Sequence, residues 1–106
     1  QDNIDKAIHY SRIAYSSART SKYGQTLAFY LKQEGRLTEA EIVMLEIIAL
    51  EPSDLNSYVF LADMYQQQKQ IAKAIAIYDK AIALETISQQ ERYYFHNKKM
   101  ELESQR

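Results

Sequence analysis

The 106-residue chain has net charge −1, with 46% apolar and 25% charged residues, a balance that suits one globular domain rather than a disordered segment. It lacks cysteine, which excludes disulfides and thiolate zinc sites. No apolar run approaches the roughly 18–20 residues that a membrane helix needs, so no direct membrane contact is expected from this segment.

Two glycines and one proline leave little punctuation for hairpins. Apolar residues recur at helical spacing almost throughout, and no segment alternates as a half-buried strand would. The pattern predicts six helices, at 3–17, 22–34, 38–51, 54–68, 71–85 and 88–104. In chain order, Gly35 is placed to close the second helix in a left-handed conformation, and Thr38 with Glu41 reads as a capping box opening the third. Pro52-Ser53-Asp54 ends that helix and caps the fourth, while Ser88 with Glu91 reads as a capping box for the last. Links of two to five residues make neighbours antiparallel. The predicted fold class is all-α.

Charge is uneven along the chain. Residues 1–36 carry six basic and three acidic groups, residues 37–66 six acidic and no basic groups, and residues 67–106 seven basic and five acidic groups. There is no dense basic stripe, so nucleic acid is not an expected partner. The acidic stretch reads either as a solvated helix face or as a patch that selects a basic partner.

LTEAEIVMLEIIALE (residues 37–51) and IAKAIAIYDKAIALE (residues 71–85) share their form at an offset of 34. Sliding residues 21–54 over 55–88 aligns Leu27-Ala28 with Leu61-Ala62, Gln33 with Gln67 and Ala40 with Ala74. It also aligns Ile48-Ala49-Leu50-Glu51 with Ile82-Ala83-Leu84-Glu85, and no gap is needed. A 34-residue helix–turn–helix period resembles the tetratricopeptide repeat. One repeat presents Gly24, Leu27, Ala28, Leu31, Ala40, Met44 and Pro52; the next presents Tyr58, Leu61, Ala62, Tyr65, Ala74, Tyr78 and Thr86. The alanines stand where paired helices approach, and Leu27, Leu61, Met44 and Tyr78 fill the grooves beside them. Gly24 replaces the usual bulky aromatic, which leaves a gap for Tyr23 or Tyr15 to fill.

The resemblance implies a right-handed solenoid of antiparallel helix pairs, with 1–106 as a single domain. Residues 3–17 would be the second helix of a partial repeat, 21–54 and 55–88 two full repeats, and 88–104 a C-terminal capping helix. Because the pattern starts part-way through a repeat, a piece of a longer array is expected.

No catalytic constellation is found. His9 and His96 lie on the first and last helices, the serines lack a general base, and no phosphate-binding or metal-binding motif is present. The expectation is a chain that is not an enzyme and has neither metal nor cofactor. Of the nine tyrosines, Tyr65 and Tyr78 fall at core positions; Tyr10, Tyr15, Tyr30 and Tyr93-Tyr94 read either as helix packing or as a binding surface. The resemblance implies a concave groove for an extended peptide or a helix of another protein. By position it would be lined by Lys22, Gln25, Phe29 and Lys32 in the first repeat. Asn56, Val59, Asp63 and Gln66 would follow in the second, continued by Tyr93 and Asn97. The subfamily that clamps chaperone C-termini places lysine, asparagine and arginine in its groove, whereas Gln25, Phe29, Val59 and Asp63 stand here, and Asp63 would repel a carboxylate. Phe29 and Val59 suit apolar anchors instead. The alternative is a homo-oligomer formed through the open first helix, where Ile4, Ile8 and Ile13 would need cover.

Overall fold

The computed structural model describes residues 2–106; residue 1, the head of the expected domain, lies outside them. Six helices run in order: α1 (Asp2–Ser17), α2 (Ser21–Gln33), α3 (Leu37–Leu50), α4 (Leu55–Gln67), α5 (Ile71–Ile82) and α6 (Gln89–Glu103), with no strand among the described residues. The chain divides into two compact units, Gln1–Pro52 and Ser53–Arg106. In the first, α2 packs on both α1 and α3; in the second, α5 packs on both α4 and α6.

The helix ends follow local chemistry. Glycine at position 35 adopts φ 80°, Arg36 N–H donates to Leu31 C=O at 2.8 Å, and Gly35 N–H donates to Lys32 C=O at 3.0 Å. This is the Schellman arrangement, which satisfies carbonyls that the helix end leaves open. Thirty-four residues later the same turn recurs with lysine: Lys69 has φ 63°, and Gln70 N–H donates to Tyr65 C=O at 2.9 Å. A side chain in that conformation costs about 1 kcal/mol relative to glycine, so the packing around the turn, not its own preference, holds it.

Asp54 caps α4 by accepting from Asn56 N–H at 3.2 Å, and Ser88 with Glu91 forms the expected reciprocal capping box on α6. The Thr38–Glu41 box does not form. The Schellman turn hands the chain directly into α3 at Leu37, so Arg36 is the N-cap without a side-chain cap bond, and Thr38 is already helical. Arg36 instead grips Glu39 with two bonds of 2.6 and 2.8 Å. Helix α5 also stops earlier than its twin, at Ile82. The guanidinium of Arg92, from α6, binds the carbonyls of Ile82 and Leu84 and so terminates it.

Each unit is built around alanines with no exposed surface: Ala28 and Ala40 in the first, Ala62, Ala74 and Ala81 in the second. Without side chains beyond Cβ, they let helix axes approach closely, and Leu27, Leu31, Met44, Leu61, Tyr65 and Tyr78 close the remaining space. The gap expected at Gly24 is filled. A Cβ there would lie 2.0 Å from Ile47 Cδ1 and 3.1 Å from Tyr15 Cε1, so Ile47 and Tyr15 occupy the space, whereas Tyr23 stays 40% exposed. The equivalents of Gly24 and Ile47 in the second repeat are Tyr58 and Ala81, both buried. The large and small partners have exchanged helices.

This exchange is testable. Gly24→Ala gains about 1 kcal/mol of helix propensity but drives a methyl into buried Ile47, and overpacking of this kind costs about 1–3 kcal/mol. We expect a net loss of stability in urea denaturation. Ile47→Ala removes both colliding atoms, Cδ1 and Cγ1, so Gly24→Ala costs less in that background and the double-mutant cycle is non-additive; additivity contradicts the packing described.

Candidate functional site

The residues expected to line a groove lie on α2, α4 and α6. On α2, Lys22 and Phe29 are exposed and Gln25 and Lys32 half-buried; Phe29 stacks edge-on against Tyr30 with centroids 5.5 Å apart. On α4, Asn56, Val59, Asp63 and Gln66 follow the spacing i, i+3, i+7, i+10 and so share one side of the helix. Asn56 and Asp63 are exposed, and Val59 and Gln66 half-buried.

Two hollows lie along that side of α4. The first, about 410 Å³, is lined by Leu55, Asn56 and Val59 from α4 and by Gln90, Glu91, Tyr94 and Phe95 from α6. The second, about 330 Å³, is lined by Asp63, Gln66 and Gln67. All four α4 residues of the expected groove therefore line a hollow. Tyr93 lines another hollow, with Ile82, Gln89, Gln90, Arg92 and His96, while Tyr94 stands beside Val59 in the first. Adjacent residues on a helix point about 100° apart, which puts the two tyrosines on different faces of α6. Asn97 is exposed, three residues beyond Tyr94 and thus on its side of α6.

Tyr94 and Phe95 meet edge-on at 5.2 Å, and Phe95 contacts Tyr78 at 5.9 Å, which ties the floor of the cleft to the α4–α5–α6 core. Lys99 adds a 2.7 Å ion pair to Asp79. Burial, then the charges of Asp63, Tyr94 and Glu101, push the Tyr78 phenol up to about 12.

The acidic stretch 37–66 is largely used inside the units. Glu39 binds Arg12 at 3.2 Å as well as Arg36, and Glu46 accepts from Arg19 at 3.0 Å and from the Tyr15 hydroxyl at 2.9 Å. Arg12 and Tyr15 on α1 thus reach Glu39 and Glu46 on α3, and Arg19, in the link after α1, adds to the second pair. Glu51 accepts from Ser21 N–H at 2.6 Å at the start of α2, where the helix dipole favours an anion. With Asp54 spent on its cap, four of the six carboxylates hold the fold, whereas Asp63 lines the second hollow beside α4.

Among the described residues, no three histidine, aspartate or glutamate side chains gather as metal ligands, and no helix is long and apolar enough to cross a membrane.

Residues 55–86, covering α4, α5 and the turn that follows, match the family model described as "Tetratricopeptide repeat". No curated protein and no solved structure matches the chain.

The buried phenol behind the cleft gives a pH dependence with a defined sign. Its pKa is raised in the folded protein, so its contribution to stability is complete below about pH 10, the unfolded value, and is lost as pH rises through about 12. Urea denaturation at about pH 9 and about pH 11.5 should show wild type losing roughly 2 kcal/mol more than Tyr78→Phe over that interval. Equal losses in the two proteins contradict the burial assigned to this hydroxyl.

Proposed function

Residues 55–86 make this a tetratricopeptide-repeat chain, and from that premise we propose that it acts without catalysis, holding a peptide segment or helix of another protein. Domains of this family generally bind other proteins. Within this chain the reading rests on one observation: the side of α4 that carries Asn56, Val59, Asp63 and Gln66 stays open and hollowed, while Tyr58, Leu61, Ala62 and Tyr65 of the same helix are buried. The first-repeat counterparts are Lys22, Gln25, Phe29 and Lys32 on α2, with Phe29 48% exposed.

An exposed phenylalanine and a half-buried valine are apolar surface that the core does not use, which suits them as anchors for a partner's side chains. Amides flank them at Gln25, Asn56 and Gln66, and can satisfy a partner's main chain. On α6 the continuation runs through Tyr94 and Asn97. Tyrosine fits such a place because its ring buries area while its hydroxyl keeps a hydrogen bond.

Self-assembly is the second reading, favoured by α1. Ile8 is buried and Ile4 half-buried, so those residues have cover, but Tyr10 is 66% and Ile13 50% exposed. Both lie on one side of α1 at spacing i, i+3.

The test compares the proteins retained from a native extract by wild type, by Phe29→Ala with Val59→Gln, and by Ala76→Gln on the exposed side of α5. Truncating two central anchors should reduce retention of a specific partner by about tenfold or more, and the α5 variant should not. Retention unchanged in the first variant sinks the assignment of these faces. Light scattering over a concentration series separates the second reading, which a mass that stays monomeric removes.

A further inference from the structure

The α4–α6 face has a charge asymmetry that specifies the partner more closely. Each charged side chain lining its two hollows is a carboxylate: Glu91 in the first and Asp63 in the second. Asp63 is exposed and, among the described residues, has no ion-pair partner. At the start of α4 the Asp54 carboxylate caps the helix beside Asn56. Lys98 holds its ammonium 5.7 Å over the Tyr94 ring. Among the described residues no cation lines either hollow, so a basic group entering the second meets an acidic one there.

The two hollows also differ in kind. The first has apolar walls from Leu55, Val59, Tyr94 and Phe95; the second is lined by the polar residues Asp63, Gln66 and Gln67, whose side chains offer a carboxylate and two amides. Val59 and Gln66, like Asn56 and Asp63, are seven residues apart, which on a helix is about 10 Å. We propose that this face binds a protein segment carrying one large apolar side chain and, about 10 Å along, a lysine or arginine. The apolar side chain enters the first hollow and loses its contact with water. The cation sits against Asp63, whose charge has no competing partner to displace. In an extended segment the two residues are about three positions apart, and in a helical one about seven. This rests on the partner-binding reading above and names the ligand of that same face.

The experiment selects a displayed library of random twelve-residue peptides against the full chain, in parallel with its Asp63→Lys variant. Asp63 is exposed, so the substitution leaves the fold intact, which circular dichroism checks. Wild type should enrich peptides with lysine or arginine at a fixed spacing from leucine, isoleucine or phenylalanine. Asp63→Lys should lose that preference or turn it toward aspartate and glutamate. A synthetic peptide from the wild-type selection should bind Asp63→Lys about tenfold more weakly, and should weaken severalfold as salt rises from about 0.05 to 0.5 M. Enrichment of acidic or uncharged peptides, or a basic preference that survives Asp63→Lys, overturns the proposal and leaves the partner-binding reading standing. Failure of the folded protein to enrich any peptide overturns both. A dimer in solution that Asp63→Lys dissociates makes a second copy the occupant, which also overturns it.

Discussion

Close approach of helices at alanine is the constraint on which the rest of the structure depends. Ala28 and Ala40 in one unit, and Ala62 and Ala74 in the other, have no exposed surface. Helix axes that approach so closely leave fixed grooves on either side, and the large residues are dictated by them. That explains why LTEAEIVMLEIIALE and IAKAIAIYDKAIALE look alike: both solve one packing problem. The solution is nonetheless flexible in its details. Gly24 with Ile47, and Tyr58 with Ala81, put the bulk on opposite helices of the pair while keeping the pair closed.

A second consequence concerns charge. A helix whose apolar side is committed to its neighbours has its polar side left over, and the chain spends much of it on internal bonds. Glu39 joins α3 to α1 through Arg12, Glu46 through Tyr15, Glu51 holds the start of α2, and Arg92 ends α5. Each such exposed pair contributes only a fraction of a kcal/mol to about 1 kcal/mol, so their effect is on register more than on stability. What remains on α4 and α6 is a face with one apolar-walled hollow and one lined by polar residues, each bearing a carboxylate. The functional reading rests on that remainder.

Much of the fold is legible in the sequence because helix ends are decided locally. Gly35, Asp54 and the Ser88–Glu91 box each act within a few residues, and all three appear as their residue types require. Where a distant group intervenes, local reading fails. The end of α5 is set by Arg92, ten residues on, and the gap at Gly24 is closed by Ile47 from the next helix. Thr38 carries a plausible cap signature, but the turn at Gly35 has already returned the chain to helix. For the candidate face, the 34-residue period fixes which α4 residues share one side. On α6, which carries few of the repeat's own residues, the sequence does not decide whether Tyr93 or Tyr94 stands beside Val59. The tyrosine pair and the Ser88 cap were the signals from which Gln90 and Tyr94 could have been counted onto one side.

The measurement closest to the central claim is the stability of Ala74→Leu against that of Ala76→Leu. Both substitutions enlarge an alanine of α5 with similar helix propensity, but Ala74 is fully buried and Ala76 is exposed. If close approach at the alanines sets the helix pair, Ala74→Leu lowers the urea midpoint by the equivalent of about 1–3 kcal/mol and Ala76→Leu leaves it nearly unchanged. An Ala74→Leu protein as stable as wild type contradicts the account.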